Sequence, residues 1–149
     1  MNIQKILVPF DFSEYSEKAC QWAVGMAEKW GARVLVLHVV PRPTYPPVLM
    51  GSHFNAADFE AGLRTEAEER ACAFVAGVSH EGVPIDVKVM IGEPSWDICK
   101  MAEEEGSDLV IMGSHGRTGL GHVLLGSVAE RVVRLSSCPV LVVGRKAPL

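Results

Sequence analysis

The residues best suited to chemistry lie in one glycine-rich segment, GSHGRTGLGHVLLGS at residues 113–127. Its glycines are Gly113, Gly116, Gly119, Gly121 and Gly126. Glycine loses more backbone freedom on ordering than any other residue, at a cost of roughly 0.5–1 kcal/mol each in a helix or strand. Five glycines so close together therefore indicate a demanding backbone path or the close approach of another group.

The position of this segment indicates which group that is. It follows the apolar run DLVIMG and leads into GSVAERVVRL, which has helical spacing. Ligands of open parallel sheets bind beyond the carboxyl ends of the strands, and a helix N-terminus there offers unpaired N–H groups and a partial positive charge. We therefore expect the loop to bind phosphate.

Two common phosphate-binding motifs do not fit this loop. Residues 121–127 have the outline of a P-loop, but serine follows Gly126 directly and the lysine is missing. The dinucleotide fingerprint also fails, because Leu124 stands where its third glycine should be and the first apolar run is not followed by a glycine loop. The loop is predicted to be neither a P-loop nor a dinucleotide fingerprint.

The elements that must position the loop are visible as alternating patterns. Apolar runs rich in β-branched residues predict strands at Ile3–Val8, Arg33–Val40, Ile85–Ile91, Leu109–Met112 and Pro139–Val143. Helical stripes predict helices from Ala19 to Trp30, from Leu63 to Val78, from about Pro94 to Glu105, and from Ser127 to Leu135. This alternation predicts an α/β fold with a parallel, doubly wound five-stranded sheet and helices on both faces.

Composition limits the class of protein. The 149 residues are 48% hydrophobic and 21% charged, which predicts one domain covering residues 1–149. The net charge of −4 argues against a nucleic-acid or anionic-membrane surface. The N-terminal apolar run is too short for a signal sequence, and no run reaches the roughly 20 residues that span a bilayer, so we expect a cytoplasmic protein without a membrane segment.

Three further features are given structural interpretations. Cys20, Cys72, Cys99 and Cys138 lack metal-type spacing, so buried thiols are favoured. The tryptophans Trp22, Trp30 and Trp96 are assigned to helix packing faces, and the charge run TEAEERA from Thr65 to a solvated helix face. The segment from Val40 to Asn55 contains four prolines and is either a solvent loop, which is favoured, or a functional lid.

The pattern G-x2-G-x9-G-S, formed by Gly113, Gly116, Gly126 and Ser127, resembles the nucleotide-binding members of the universal stress protein family. The segments ILVPFDFSEYSEKA, LVLHVV, DLVIMGSHG and SSCPVLVV are similar to the first, second, fourth and closing strands of that family. The resemblance spans nearly the whole chain and is weakest between Pro41 and Phe54. It implies a Rossmann-like fold of the adenine nucleotide alpha hydrolase type, with strand order 3-2-1-4-5.

The resemblance also implies a binding site. Asp11 would bond the ribose, and Pro9 and Val39 would border the adenine. The loop residues Gly113, Ser114, His115, Gly116, Arg117, Thr118 and Gly119 would wrap the ribose and phosphates. Gly126, Ser127 and Val128 would complete the phosphate cradle. In the 3-2-1-4-5 order, strands one, two and four would end at one edge of the sheet, with the switch point between strands one and four.

Simpler interpretations of these residues stay open. Asp11 could help to cap the helix that begins near Ser13, although ligand binding is favoured. Ser127 could be only an N-cap. His115 and His122 are interpreted as exposed loop residues or phosphate neighbours rather than catalysts, and His38 as a hydrogen-bonded structural histidine rather than a metal ligand. Arg117 is the loop's only fixed cation and either reaches a phosphate or is solvated.

These features predict a cytoplasmic, ATP-binding switch or sensor of the universal stress type. AMP or ADP are alternative occupants. Because the loop lacks lysine, we expect Mg2+ or Mn2+ to be held mainly by the phosphates and water, with no dedicated protein metal site. The alternatives are a slow ATP hydrolase and a dimeric module without nucleotide. We also expect a homodimer formed through the closing strand, Val140 to Val143, because an exposed apolar sheet edge favours pairing with another chain.

Overall fold

Apolar runs form strands and amphipathic stretches form helices throughout the described part of the chain. The computed structural model describes residues 2–45, 54–78, 81–116 and 125–148. Its elements are β1 (Lys5–Pro9), α1 (Glu14–Trp30), β2 (Arg33–Pro41), α2 (Ala56–Val78), β3 (Ile85–Gly92), α3 (Pro94–Glu104), β4 (Leu109–Gly113), α4 (Ser127–Leu135) and β5 (Val140–Val143). Every predicted strand and helix is present, but α1 begins at Glu14 and α2 at Ala56, several residues before the first residues of their predicted apolar stripes.

The described strands form one parallel sheet in the order β3-β2-β1-β4-β5. β1 is central: Leu7 is in register with Leu35 of β2 on one side and with Val110 of β4 on the other. The crossovers from β1 to β2 and from β4 to β5 run in opposite directions, so the order reverses between β1 and β4. The predicted fold class and strand order are therefore confirmed.

Each face of the sheet is covered by two helices. Ile6 and Val8 pack into one apolar cluster with Ala23 of α1 and Val75 of α2. The side chain of Leu7 packs into a second cluster, with Ile98 of α3 and Val132 of α4 among its members. Because successive strand residues point to opposite faces, a strand covered on both faces must be apolar throughout. This explains the continuous run ILV in β1.

Local capping sets where the helices nearest the site begin. The hydroxyl of Ser13 accepts a hydrogen bond from the Ser16 amide at 3.2 Å, and Gly31 ends α1 with φ of 65°. In α3, Pro94 occupies the first turn, and the Glu93 carboxylate accepts from the Trp96 amide at 2.7 Å. The hydrogen bond from the Trp96 amide holds the pKa of the Glu93 carboxyl below its usual value. Both helices therefore begin just beyond the carboxyl end of a strand.

Two structural expectations are wrong in part. Cys20 is buried, which raises the pKa of its thiol to about 12, but Cys72 is exposed and both Cys99 and Cys138 are half-buried. The reason is that α2 packs through a narrow stripe made by Ala67, Ala71 and Val75, and Cys72 lies beside this stripe.

The assignment of the tryptophans to packing faces is wrong for Trp30 and Trp96 and holds for Trp22. Trp96 is 64% exposed and Trp30 is 42% exposed, because α3 buries its Ile98 and Met101 side instead and Trp30 is the last residue of α1. Trp22 is partly buried and donates its indole N–H to the Pro148 carbonyl at 2.8 Å.

The proline-rich segment is described only at its two ends, because residues 46–53 lie outside the described ranges. Tyr45 and Phe54 contact each other, with ring centroids 5.2 Å apart, and both contact Phe59 in α2. No helix in the described ranges is both long enough and apolar enough to cross a bilayer.

Candidate functional site

A cavity of about 310 Å³ opens at the carboxyl ends of β1 and β4, where the strand order reverses. The residues predicted for the site that line it are Pro9, Asp11, Val39, Gly113, His115, Gly116, Gly126, Ser127 and Val128. These residues come from three strand ends and one helix start. The tertiary structure thus brings them to one place, as the switch-point argument predicts.

The other predicted residues lie beside the cavity or outside the described ranges. The Ser114 amide donates to the Val143 carbonyl at 2.9 Å, and the Ser114 carbonyl accepts from the Gly126 amide at 2.8 Å. Ser114 therefore joins the end of β4 to β5 and to the start of α4. Arg117, Thr118, Gly119 and His122 lie outside the described residues.

The first turn of α4 forms one wall of the cavity. Gly126 is the N-cap residue, Ser127 is the first helical residue, and there is no side-chain hydrogen bond at the cap. The interpretation of Ser127 as an N-cap is therefore wrong: the tight connection from Ser114 to Gly126 places the cap one residue earlier. Since the first N–H groups of a helix have no partner within the helix, this wall is suited to an anion.

Gly126 lies in close contact with the backbone of the loop that precedes it. A Cβ atom at this position would lie 3.3 Å from both the Cα atom of His115 and the carbonyl oxygen of Ser114. The two ends of the loop therefore pass against each other at this point. A Cβ atom at residue 126 would fit only if one of the two ends moved by a few tenths of an ångström.

Gly113 also has a packing role that the sequence analysis did not predict. A Cβ atom at this position would lie 2.6 Å from Cβ of Tyr15 and 2.8 Å from its carbonyl carbon. The glycine allows α1 to pack against the end of β4. Position 113 must therefore hold a residue without a side chain so that α1 can pack here, and the backbone of Gly113 also lines the cavity.

Asp11 lies in a hydrogen-bonded turn between β1 and α1. Its Oδ1 atom accepts from the Ser13 hydroxyl at 2.5 Å and from the Ser13 amide at 3.1 Å, and the Asp11 amide donates to the Ser16 hydroxyl at 3.3 Å. The carboxylate therefore helps to order the start of α1, while the residue also lines the cavity. The capping interpretation is confirmed, and ligand binding by Asp11 stays a prediction.

Phe12 has a backbone conformation that is rare for any residue except glycine. Its φ is 64°, in the left-handed region. Its ring meets the Phe10 ring edge-on at 5.0 Å and the His38 ring at 4.7 Å. The guanidinium of Arg70, in α2, lies 4.1 Å from the centre of the Phe12 ring.

His38 is the main lining residue whose place in the cavity the sequence analysis missed. It is buried, and its Nδ1 lies 2.5 Å from the Phe10 carbonyl oxygen. A carbonyl can only accept, so this nitrogen carries the hydrogen. The prediction of a hydrogen-bonded structural histidine is confirmed, and the residue also lines the cavity. The position of His38 near the carboxyl end of β2 could have indicated this, because the carboxyl ends of parallel strands border the ligand crevice of an open sheet.

The remaining lining is mainly apolar. It consists of Phe10, Ser16, Leu37, Pro41, Pro94, Ile98, Met112 and Ala129. A planar aromatic ring fits between apolar side chains of this kind, and a few polar groups then fix its orientation. The cavity therefore combines an apolar side with a wall made of backbone N–H groups.

Charged side chains are sparse in the described lining. Asp11 is its one carboxylate, and it contains neither lysine nor arginine. Nowhere in the described ranges do three or more His, Cys, Asp or Glu side chains form a cluster that could hold a metal ion. Within the described lining, an anionic ligand would thus meet backbone dipoles and the helix N-terminus rather than fixed cations.

Comparisons with known proteins show which family and fold this chain matches. The model described as "Universal stress protein family" matches residues 2–144. The universal stress protein MJ0577 of Methanocaldococcus jannaschii is 37% identical over 155 aligned positions, which cover 96% of each chain. The solved structure of hypothetical protein MJ0577 has a TM-score of 0.84 and 34% identity, covering 99% of this chain and 100% of that one.

Two solved structures of similar fold hold nucleotides. A universal stress protein in complex with cAMP has a TM-score of 0.64 and 24% identity, covering 96% of this chain and 98% of that one. The universal stress protein from Archaeoglobus fulgidus in complex with dAMP has a TM-score of 0.63 and 23% identity, covering 96% of this chain and 99% of that one. At these identities the likeness establishes the shared fold.

Proposed function

The chain belongs to the universal stress protein family, and we propose that it binds an adenine nucleotide, with ATP as the main ligand, and acts as a nucleotide-dependent switch or sensor in a stress response. The observation that carries this proposal is the cavity at the switch point, where the first turn of α4 faces an apolar lining. A phosphate fits the helix N-terminus, and a base fits the apolar side. The cAMP and dAMP held by relatives of the same fold are ligands of this chemical type.

The proposed roles follow the arrangement of the lining. Pro9 and Val39 border the adenine, and Asp11 accepts a hydrogen bond from a ribose hydroxyl. The backbone of Gly113, Ser114, His115 and Gly116 wraps the ribose and phosphates, together with Arg117, Thr118 and Gly119. Gly126, Ser127 and Val128 complete the phosphate cradle. The amides of Ser127 and Val128 and the Ser127 hydroxyl donate to the phosphates, while the Gly126 amide stays bonded to the Ser114 carbonyl.

We also propose that a divalent cation accompanies a bound triphosphate. The described lining supplies one carboxylate and no fixed cation, so it offers little to neutralise three phosphates. Mg2+ prefers phosphate oxygens and water to a site made wholly of protein groups. The ion would therefore be Mg2+ or Mn2+ and would be held mainly by the nucleotide.

We propose that the protein is a cytoplasmic homodimer. Each chain is a single domain that covers residues 1–149. β5 is the edge strand next to β4, and its residues Val140, Leu141 and Val142 are only partly buried. A second copy could pair along this edge and cover them.

Light scattering at micromolar concentration should give twice the 16.1 kDa chain mass. A Val142→Lys variant whose thermal melt stays cooperative should shift toward the monomer.

Nucleotide binding is tested most directly on the purified protein. Denaturation followed by chromatography should release adenine nucleotide, and calorimetric titration of stripped protein with ATP and Mg2+ should give one site per chain. A linear release of phosphate during the same incubation would favour a hydrolase instead. Absence of both co-purified nucleotide and binding at millimolar ATP or AMP would refute the proposal.

A further inference from the structure

Helix α2 contacts both neighbours of Asp11 in the sequence. The Phe10 ring stacks on the Phe74 ring, with centroids 4.6 Å apart and planes 26° from parallel. Arg70 lies one helical turn before Phe74, and its guanidinium covers the face of the Phe12 ring at 4.1 Å. Residues four apart lie on the same side of a helix, so one face of α2 holds Phe10 and Phe12 together.

Phe12 needs such support because of its backbone. A φ of 64° crowds the Cβ atom of any residue except glycine, so this conformation persists only where the surroundings enforce it. Phe10 and His38 meet the Phe12 ring by their edges, and Arg70 covers its face. A cation over the face of an aromatic ring is attracted by the ring's negative charge distribution.

The conformation of Phe12 controls the direction of Asp11. The two residues share a peptide unit, and Oδ1 of Asp11 is bonded to both the amide and the hydroxyl of Ser13 on the far side of Phe12. If Phe12 relaxed to a negative φ, the path from residue 11 to residue 13 would change and these bonds would break. The carboxylate would then leave its place against Gly116 at the edge of the cavity.

We propose that Arg70 is a positioning residue for Asp11 and acts through the ring of Phe12. This inference rests on the proposed function, because it assigns to Arg70 a part in the affinity for the ribose of a bound nucleotide. Arg70 is not among the described residues that line the cavity, so its effect must pass through Phe12. The charge run from Thr65 is therefore more than a solvated face at this residue.

The first test compares two arginines of α2 in the full-length protein. Arg70→Met removes the cation while keeping a long side chain and similar helix propensity. Arg64→Met makes the same change at another exposed position of the same helix and serves as the matched control. We expect Arg70→Met to raise the Kd for AMP about two- to fivefold, which is the change that the loss of one exposed cation–π contact would produce. Arg64→Met should leave the Kd unchanged. Arg70→Lys, which keeps a cation, should recover much of the loss.

The second test asks whether the effect passes through Asp11. In an Asp11→Ala background, Arg70→Met should cause no further loss of AMP affinity, measured at up to millimolar ligand. A general loosening of the fold would instead lower affinity by the same factor in both backgrounds. Equal losses in both backgrounds, or equal affinity of Arg70→Met and Arg64→Met, would overturn the inference.

The third test needs no nucleotide and separates this inference from the proposed function. The Ser13 amide donates to Oδ1 of Asp11, so its hydrogen exchange in ligand-free protein reports whether the turn is in place. Exchange at Ser13 should be faster in Arg70→Met than in Arg64→Met. If wild-type protein binds no nucleotide, the proposed function fails. If Ser13 exchange is the same in both variants, the link from Arg70 to Asp11 fails, whatever the protein binds.

Discussion

Gly116 leaves room for the Asp11 carboxylate across the end of the sheet: a Cβ atom on Gly116 would lie 2.7 Å from Oδ2 of Asp11. The loop after β4 and the turn after β1 therefore meet at the point where the strand order reverses. Asp11 cannot simply rotate away, because its Oδ1 atom is bonded to Ser13. The Asp11 carboxylate can therefore keep its position only if residue 116 has no side chain.

Gly116→Ala should therefore weaken nucleotide binding. The added methyl group displaces the Asp11 carboxylate and costs the hydrogen bond proposed for the ribose, so we expect Kd to rise about tenfold, corresponding to roughly 1.4 kcal/mol. Calorimetric titration with AMP measures the change. Gly144→Ala is the matched control, because a Cβ atom at that position meets no atom within 4 Å. Equal affinity of the two variants would contradict the prediction.

Gly113→Ala should destabilise the fold itself. The methyl group would overlap the Cβ and backbone of Tyr15, and backbone atoms in a packed helix cannot give way easily. We expect a loss of about 1–3 kcal/mol in the free energy of unfolding, as is typical of an overpacked core. Urea denaturation of ligand-free protein measures it. Unchanged stability would show that α1 can shift away from β4 without cost.

Ser127→Ala should lower affinity and leave stability nearly unchanged. Ser127 is the first helical residue and makes no capping hydrogen bond, so α4 loses nothing when the hydroxyl is removed. A hydrogen bond from the hydroxyl to a charged phosphate is worth about 1.5–3 kcal/mol, so Kd should rise at least tenfold. Titration with ATP and Mg2+, together with thermal melts without ligand, measures both effects. Ser137→Ala, at an exposed position, is the control, and a fall in melting temperature specific to Ser127→Ala would contradict the prediction.

Asp108 should make stability depend on pH in the acid range. Its carboxylate accepts from the amides of Gln4 and Lys5 at 2.8 and 2.9 Å, and these bonds hold its pKa below the usual value. A folded pKa below the unfolded value of about 3.9 gives stability that is present above pH 4 and is lost as pH falls through the folded pKa. We expect Asp108→Asn to be less stable than wild type at pH 7, and this difference to shrink below about pH 4.

Because Asp108 is only partly buried, the difference at pH 7 should stay under about 1 kcal/mol. Urea titrations of both proteins at pH 7, 4 and 3 measure it. A difference that stays constant over this range would show that the two amide bonds do not depend on the charge of the carboxylate.

The sequence by itself determined the order and type of the elements. Continuous apolar runs such as ILV in β1 can be buried on both faces only in a covered parallel sheet, and this requirement can be read locally. The convergence of Asp11, Gly116 and Gly126 also followed from the sequence, because the carboxyl ends of parallel strands share one edge of a sheet.

Only the tertiary structure decided what each residue touches at that edge. Gly113 is small because Tyr15 of α1 packs on it, and Arg70 covers Phe12 although the two residues lie 58 positions apart in the sequence. Trp96 and Cys72 face outward because each lies off the stripe that its helix buries. These outcomes depend on how distant segments meet in space, and the periodicity of one segment carries no information about its partner.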